Sequence, residues 1–288
     1  MKQLESYTVP ALKETIRLSD LAWDSFNFIQ SRKAWKKAIK KGLIKVNGEQ
    51  GFTGSYISGG EQIEVFQDEV EKEHPEIDLK LEVLFEDDHL AVVNKPAGIE
   101  VSGNKKWTLQ NALSGNLKSS GQVDWLPYLE PIHRLDYPTS GALLIGKTAS
   151  ATTALNRMFE SREIKKTYVA VTIGEMPKNG EVESEIDEKS SRSLYQVLKS
   201  LESERFGFLN LVELNPETGR RHQLRKHMLD LGNPILGDWA YFKEGLILKG
   251  KGLYLHAFSL EFTHPNTGEL IKTQAPLPSK FLKLFPAD

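Results

Sequence analysis

The segment PIHRLDYPTSGALLIGKT, residues 131–148, constrains the fold most strongly, because two incompatible motifs overlap within it. The letters GALLIGKT match the phosphate-loop pattern G-x-x-x-x-G-K-[ST], in which backbone N–H groups surround a phosphate between a strand and a helix. The letters HRLDYPTSG instead place a carboxylate in a turn ahead of a strand. The same residues cannot be both loop and strand, so only one of the two motifs can form a working site.

The strand interpretation accounts better for the residue types. The variable positions of the phosphate-loop pattern, residues 142–145, are all apolar and favour the interior of a strand. The preceding letters LDYPTS include no apolar run, so the strand that must lead into a phosphate loop is missing. Pro138 and Gly141 instead predict a turn that opens into a buried strand, with Asp136 at its lip. A nucleotide triphosphatase is therefore the weaker alternative, and Lys147 is expected to be an ordinary strand-end lysine.

Composition excludes several chemistries. The 288 residues include no cysteine, which rules out disulfides, thiolate nucleophiles and the Cys-ligated zinc of base deaminases. No apolar run approaches the ~20 residues that span a bilayer, and the N-terminal letters lack the apolar stretch of a signal peptide. We therefore expect a cytoplasmic protein with no membrane partner.

The overall charge does not indicate a nucleic-acid partner, but one local cluster does. The 37 basic residues are balanced by 39 acidic ones, whereas the letters SRKAWKKAIKKGLIK, residues 31–45, contain basic residues and no acidic one. On a helix, Lys33, Lys37 and Lys41 form a stripe at i, i+4 spacing, and Trp35 faces the other side. The segment therefore predicts a helix with one basic face and one packed face.

Turn signals and composition divide the chain into two domains. Ser31 is a suitable N-cap for the basic helix and Gly42 a suitable end, and short strand segments follow. The acidic letters QDEVEKEHPEID, residues 67–78, contain no aromatic residue and are typical of a linker. We therefore expect a small α/β domain over residues 1–66 and a larger domain over residues 79–288.

Strand segments outnumber helices in the larger domain. Apart from short segments, helical periodicity is confined to residues 149–160 and 222–231, and the remaining apolar segments have the length and turn signals of strands. Many of these strands are separated by hairpin-sized turns. We therefore predict an α+β fold with a mixed, largely antiparallel central sheet and flanking helices, rather than a doubly wound parallel sheet.

Four segments of the larger domain, in order, resemble the sequence blocks of the RluA-type pseudouridine synthases. HRLDYPTSG resembles the catalytic motif of that family, VVNKPAG its first block, IKKTYVAVTIGE its tyrosine strand and ETGRRHQLRKHMLDLGNPILGD its arginine block. The N-terminal helix, turn and strand resemble the S4-type RNA-binding module that precedes this domain in many relatives. The departures are Ser102, where a histidine is common, and the added charges of Arg221 and Lys226, and none removes a group that the mechanism needs.

The resemblance implies an RNA pseudouridine synthase acting on ribosomal or transfer RNA. Such an enzyme cuts the glycosidic bond of uridine, turns the uracil over and joins its C5 to C1′ of the ribose, so neither a metal nor a nucleotide cofactor is implied. Asp136 is implied as the essential carboxylate, acting by attack at C1′ or by assisting elimination to a glycal. Arg225 is implied as its guanidinium partner and Tyr168 as the ring that stacks on the uracil.

Further residues are implied as RNA contacts. Arg134 would fill the gap left in the RNA stack when the nucleotide is flipped out, and Leu224 would form the apolar wall opposite Tyr168. The other expected contacts, mostly with phosphates, are His133, Lys166, Arg220 and the stripe of Lys33, Lys37 and Lys41. No feature requires more than a monomer. The alternative is a catalytically inert RNA-binding protein in which the N-terminal module does all the work.

Overall fold

The computed structural model describes residues 1–26, 28–29, 31–67 and 75–286. Most of the expected linker, residues 67–78, lies outside the described residues, and its first residue, Gln67, is the last residue of a strand. Among the helices of these described ranges, none has both the length and the apolar character needed to cross a membrane.

Residues 1–67 form a small α/β unit. Its elements are β1 (Lys2–Thr8), β2 (Ile16–Arg17), α1 (Arg32–Lys40), β3 (Ile44–Val46), β4 (Glu49–Gln50), β5 (Tyr56–Ile57) and β6 (Gln62–Gln67). Four of these strands form an antiparallel sheet in the order β1-β6-β3-β4, and β2 pairs with β5. The helix begins and ends where the sequence predicts, because the Ser31 hydroxyl accepts the N–H of Ala34 at 3.1 Å and Gly42 has φ +71°.

The two faces of α1 differ as predicted. Trp35 and Ile39 are fully buried, and the Trp35 indole N–H donates to the carbonyl of Leu18 at 2.8 Å. Lys33 and Lys37 are exposed on the other face. The apolar face of the helix therefore anchors it to the small domain and leaves the lysines free to meet solvent or a ligand.

The larger domain is built on a ten-stranded sheet. Its strands are β7 (Glu82–Glu86), β8 (Leu90–Lys95), β9 (Trp125–Pro131), β10 (Ser140–Thr148), β11 (Lys165–Ile173), β12 (Asn179–Ile186), β13 (Lys189–Ser203), β14 (Gly207–Pro216), β15 (Leu255–Thr263) and β16 (Leu270–Gln274). Eight strands lie in the order β12-β13-β14-β11-β15-β10-β8-β7, while β16 pairs with β15 and β9 with β10. Among the pairings between these strands, β10 and β15 pair in parallel and the others are antiparallel, so the predicted mixed, largely antiparallel sheet is confirmed.

Three α-helices accompany this sheet: α2 (Ala149–Glu160), α3 (Gln223–Asp230) and α4 (Ser279–Leu284). The helix α2 has the predicted bounds and begins at Thr148, whose hydroxyl accepts the N–H of Ala151 at 3.3 Å. The helix α3 buries Leu224 and Met228 in a core that includes β11 and β14. The elements therefore form the predicted α+β fold, with α3 at the face of the sheet that carries the site.

The overlapping motif is a strand. Residues 142–145 are fully buried in β10, between β8 and β15, so they cannot form a phosphate loop. Gly141 has φ +119°, and a Cβ at this position would lie 2.2 Å from the carbonyl oxygen of Ala257. Lys147 differs from an ordinary strand-end lysine, because it is buried and forms an ion pair with Glu86 at 2.7 Å. Its charge is thus committed to the fold rather than to a nucleotide.

Candidate active site

Three elements bring the predicted catalytic residues to one place. Asp136 lies in the turn between β9 and β10, where its carbonyl accepts the N–H of Thr139 at 3.0 Å. Tyr168 is on β11, next to β14 and β15, and Arg225 is in the first turn of α3. A turn, a strand and a helix that are distant in sequence therefore meet at one end of the sheet.

These residues line a cleft of about 450 Å³, a size typical of small-ligand sites. The cleft contains eight of the residues expected at the site: His133, Arg134, Asp136, Lys166, Tyr168, Arg220, Leu224 and Arg225. The lysines of the α1 stripe lie outside it, in the N-terminal domain. The structure therefore separates the expected residues into a cleft group and a surface group.

Arg225 bridges two carboxylates. Its Nε and Nη2 donate to Asp238 at 2.6 and 2.8 Å, and its Nη1 donates to Oδ2 of Asp136 at 3.3 Å. Arg225 and Asp238 are almost completely buried, whereas the Asp136 side chain is 18% exposed and faces the cleft. Asp238 thus holds the guanidinium in place, and the guanidinium presents its free edge to the carboxylate that can reach a substrate.

His222 faces the other oxygen of the same carboxylate. Its Nε2 is 3.7 Å from Oδ1 of Asp136, and its Nδ1 is hydrogen-bonded to the Tyr241 hydroxyl at 2.8 Å. The Tyr241 ring also lies under the Arg225 guanidinium, 4.9 Å from the ring centre. Burial lowers the pKa of His222 and so favours the neutral imidazole, although the charge of Asp136 opposes this shift. The carboxylate is therefore flanked on both oxygens by nitrogen groups that are themselves held.

Sequence reasoning did not identify His222, Asp238 or Tyr241 as site residues. His222 precedes Arg225 by three positions, a spacing that places two side chains on one side of a helix, so this signal was present. Asp238 closes the block that contains Arg225, but its role depends on a contact across a loop. No local pattern marks Tyr241.

The walls of the cleft are an aromatic ring and a leucine. Tyr168 is half-buried and packs against the cores on both sides of its strand. Burial, and secondarily the charge of Asp136, raises the pKa of its phenol, so the hydroxyl keeps its proton at neutral pH. Leu224 is 6% exposed and lines the same cleft. A flat base can therefore be enclosed between apolar surfaces next to the carboxylate.

His133 lies at the back of the cleft. Its Nε2 accepts the backbone N–H of Leu144 at 3.1 Å, and its ring stacks on Phe159 with 4.8 Å between centres. Burial, and then the charge of Lys166, lowers its pKa to about 3. The neutral ring with an occupied Nε2 joins the start of the Asp136 turn to β10.

Basic side chains surround the mouth of the cleft. Arg134 and Arg221 are exposed, while Arg220 and Lys166 are half-buried. The Lys166 ammonium lies 5.5 Å from the centre of the Phe159 ring. Because these side chains are cationic, the mouth is suited to an anionic ligand such as a phosphate backbone.

Among the described residues, no group of three or more His, Asp or Glu side chains could hold a metal ion.

The surface group lies at a different cavity. Lys37 and Lys41 line a space of about 280 Å³ between α1 and the start of β9, which also includes Phe66 and Trp125. Lys33 is exposed one turn before Lys37 on the same helix face. The predicted stripe is thus present on the surface, beside the start of β9.

Lys95 is a buried side chain that supports the turn after Asp136. Its ammonium donates to the carbonyls of Pro96 at 2.9 Å, Thr139 at 2.8 Å and Tyr137 at 3.4 Å. Burial lowers its pKa from 10.5 to about 8, although the charge of Asp136 opposes this change. Lys95 therefore ties the end of β8 to the residues that follow Asp136.

The lowered pKa of Lys95 predicts a pH dependence of stability. Between pH 8 and 10.5 Lys95 binds more protons in the unfolded chain than in the folded one, so its contribution to the free energy of unfolding is expected to rise with pH in this window. The full difference corresponds to about 3 kcal/mol. Urea unfolding across this window should show a steeper rise for the native chain than for Lys95→Met. Parallel profiles would contradict the assignment.

Comparisons with known proteins identify the family of the chain. Residues 89–230 match the family model described as RNA pseudouridylate synthase. The ribosomal large subunit pseudouridine synthase D of Nitrosomonas europaea is 33% identical, with 89% of this chain and 80% of that protein covered. The uncharacterized RNA pseudouridine synthase YhcT of Bacillus subtilis is also 33% identical, with 84% and 83% covered.

A solved structure shows the same relationship. Human RNA pseudouridylate synthase domain containing 1 superposes with a TM-score of 0.57 and 26% identity, covering 68% of this chain and 83% of that one. The matched family segment includes the Asp136 turn, β11 and α3. The chain therefore belongs to the RluA-type family of RNA pseudouridine synthases, which are isomerases that act on RNA.

Proposed function

We propose that this enzyme isomerises uridine in large-subunit ribosomal RNA and that Asp136 is its reacting carboxylate. The observation that carries the proposal is the placement of Asp136 at the cleft, with Arg225 at one oxygen and His222 near the other. The relatives named ribosomal large subunit pseudouridine synthase D support the choice of RNA. We also propose that it acts in the cytoplasm as a monomer without a nucleotide cofactor.

The reaction needs a carboxylate that acts at the ribose while the base is held. The flipped uridine would enter with its uracil between Tyr168 and Leu224 and its C1′ toward Asp136. Asp136 then either bonds to C1′ as the glycosidic bond breaks or removes the C2′ proton as a glycal forms. The uracil, which leaves as its N1 anion, turns over within the cleft and C5 bonds to C1′. This step breaks the bond between C1′ and Asp136 in the first route and returns the proton to C2′ in the second. The C5 proton is then lost and N1 is protonated, so atoms and charge balance without a co-reactant.

The two oxygens of the Asp136 carboxylate differ in how close their nitrogen neighbours lie. The Arg225 guanidinium is 3.3 Å from Oδ2, whereas His222 is 3.7 Å from Oδ1, which is longer than a hydrogen bond. Catalytic hydrogen bonds in an empty site are often long and shorten when substrate binds. We infer that His222 closes on Oδ1 in the RNA complex, with the Tyr241 hydroxyl fixing its ring.

We propose that the N-terminal domain is an S4-type module that holds RNA through α1. The exposed lysines of the stripe carry positive charge without an acidic neighbour on the same segment. Such contacts position an RNA by its phosphates and do not select a sequence. The module would therefore increase affinity, while the cleft determines which uridine reacts.

Charge removal from the stripe should weaken RNA binding. The triple change of Lys33, Lys37 and Lys41 to Gln is expected to reduce affinity. The negative slope of log K against log salt should become shallower by about 2. The same three positions changed to Arg retain the charge and should bind as the native chain does. Filter binding of a large-subunit ribosomal RNA transcript at several salt concentrations measures both quantities. Equal slopes for the Gln and Arg triples would contradict the proposed role.

The choice of RNA is tested with unmodified transcripts. Large-subunit ribosomal RNA and a set of transfer RNAs, all transcribed in vitro, are incubated with the enzyme and mapped for pseudouridine at single-nucleotide resolution. The proposal predicts new sites in the ribosomal transcript alone. Sites confined to transfer RNA would overturn the substrate, and the absence of any site in correctly folded RNA would overturn the activity.

A further inference from the structure

We propose that Tyr137 and Trp239 form an aromatic rim beside the cleft, which stacks on unpaired RNA bases next to the target uridine. The name aromatic rim refers to these two residues throughout. This inference rests on the proposed function because it assigns a further subsite to the same RNA. It implies that the enzyme prefers a uridine whose neighbours are not base-paired.

Both side chains are unusually exposed. Trp239 is 75% exposed and Tyr137 is 58% exposed, although large aromatic side chains are usually buried for the most part. Neither residue lines the cleft that would hold the uridine. The aromatic rim is therefore free to meet a ligand that extends beyond the reacting nucleotide.

Each of the two residues is adjacent in sequence to a carboxylate that contacts the Arg225 guanidinium. Tyr137 directly follows Asp136, Trp239 directly follows Asp238, and both carboxylates are bonded to Arg225. Consecutive Cα atoms are about 3.8 Å apart. Each aromatic residue therefore starts within one residue of the catalytic ion-pair cluster, even though the two are distant in sequence.

Hydrogen bonds fix the backbone that carries each ring. Oδ1 of Asp238 accepts the N–H groups of Ala240 and Tyr241 at 2.9 and 3.0 Å, which closes a tight turn around Trp239. The carbonyl of Tyr137 accepts the N–H of Gly98 at 2.8 Å. The exposed rings therefore project from rigid turns, so little conformational entropy is lost when a base stacks on them.

The surroundings favour RNA bases as the occupant. Arg134 and Arg221 are exposed at the same mouth, and a combination of aromatic faces with nearby cations is the usual means of holding single-stranded nucleic acid. A base in a continuous helix has no free face for stacking on protein, whereas a loop base does. The geometry therefore selects a flipped uridine in a loop over one in an uninterrupted duplex.

The aromatic rim is tested by photochemical cross-linking. A large-subunit ribosomal RNA transcript containing 4-thiouridine is irradiated with the native enzyme, and cross-linked peptides are identified by mass spectrometry. We expect cross-links at Tyr137 and Trp239, and we expect their loss in the double variant Tyr137→Ala, Trp239→Ala. The Kd of this variant for the transcript should rise about tenfold, whereas Tyr137→Phe, Trp239→Phe should keep native affinity because it retains the rings.

A remote exposed residue provides the matched control. Leu270 is 57% exposed and is paired with Thr263, which lies eight residues along β15 from Leu255 in the cleft wall. At ~3.4 Å per residue this is about 27 Å away, so Leu270→Ala should leave the Kd and the cross-links unchanged.

The outcomes separate the aromatic rim from the proposed function. Cross-links confined to other peptides, with the same Kd for the native enzyme and the double Ala variant, would overturn the aromatic rim whether or not pseudouridine forms. Absence of pseudouridine in the same native reaction would overturn the proposed function. The cross-links and the Kd would still test the aromatic rim, because they do not depend on the reaction.

Discussion

Replacement of Asp136 by Asn is expected to abolish isomerisation, with a loss of at least about 10⁴-fold in the single-turnover rate. Asn has nearly the same shape as Asp, but it carries no negative charge and its amide is a poor nucleophile and a poor base. Arg225 keeps its two hydrogen bonds to Asp238, so the substitution leaves no buried charge unpaired. The protein should fold normally, and the lost rate can be assigned to chemistry.

RNA binding separates this prediction from a general loss of structure. The Asp136→Asn chain should bind large-subunit ribosomal RNA with nearly native affinity, because the basic mouth and the lysine stripe are unchanged. Asp88→Asn is a suitable control, since Asp88 is an exposed acid in the turn between β7 and β8 and should retain full activity. Activity within tenfold of native in Asp136→Asn would show that another group performs the reaction.

The sequence was most informative where structure depends on local pattern. The bounds of α2 follow from its helical periodicity, and β10 follows from its apolar run between a glycine turn and a helix cap. By contrast, β9 contains a proline and pairs with only part of β10, while β12 is a polar strand at the edge of the sheet. Edge strands bury little apolar surface, so their sequences contain a weak signal.

The same distinction applies to the site. Asp136, Tyr168 and Arg225 could be named from motif resemblance, and the structure places all three in one cleft. The supporting residues could not, because Lys95 and Asp238 act through contacts with residues that are distant in sequence. A motif thus indicated the groups that line the cleft, whereas the groups that hold them depend on the tertiary fold.

Replacement of Arg225 by Met is expected to lower the free energy of unfolding by about 3 to 5 kcal/mol. The Asp238 side chain is completely buried and receives two hydrogen bonds from Arg225, at 2.6 and 2.8 Å. Met fills much of the same volume but leaves that buried carboxylate without a cation, bonded only to the N–H groups of Ala240 and Tyr241. Urea unfolding followed by circular dichroism measures the change. The isomerisation rate should also fall, by at least about 100-fold, because Asp136 loses the cation at Oδ2.

A second substitution distinguishes the two roles of Arg225. In the double variant Arg225→Met, Asp238→Asn the buried negative charge is removed, so stability should recover by at least half of the loss. The isomerisation rate should not recover, because the double variant still presents no cation to Asp136. Recovery of stability without activity would show that Asp238 acts by holding Arg225, and that Arg225 contributes directly to the reaction. Recovery of both would mean that Arg225 only neutralises Asp238, and the proposed pairing of Arg225 with Asp136 in catalysis would then be wrong.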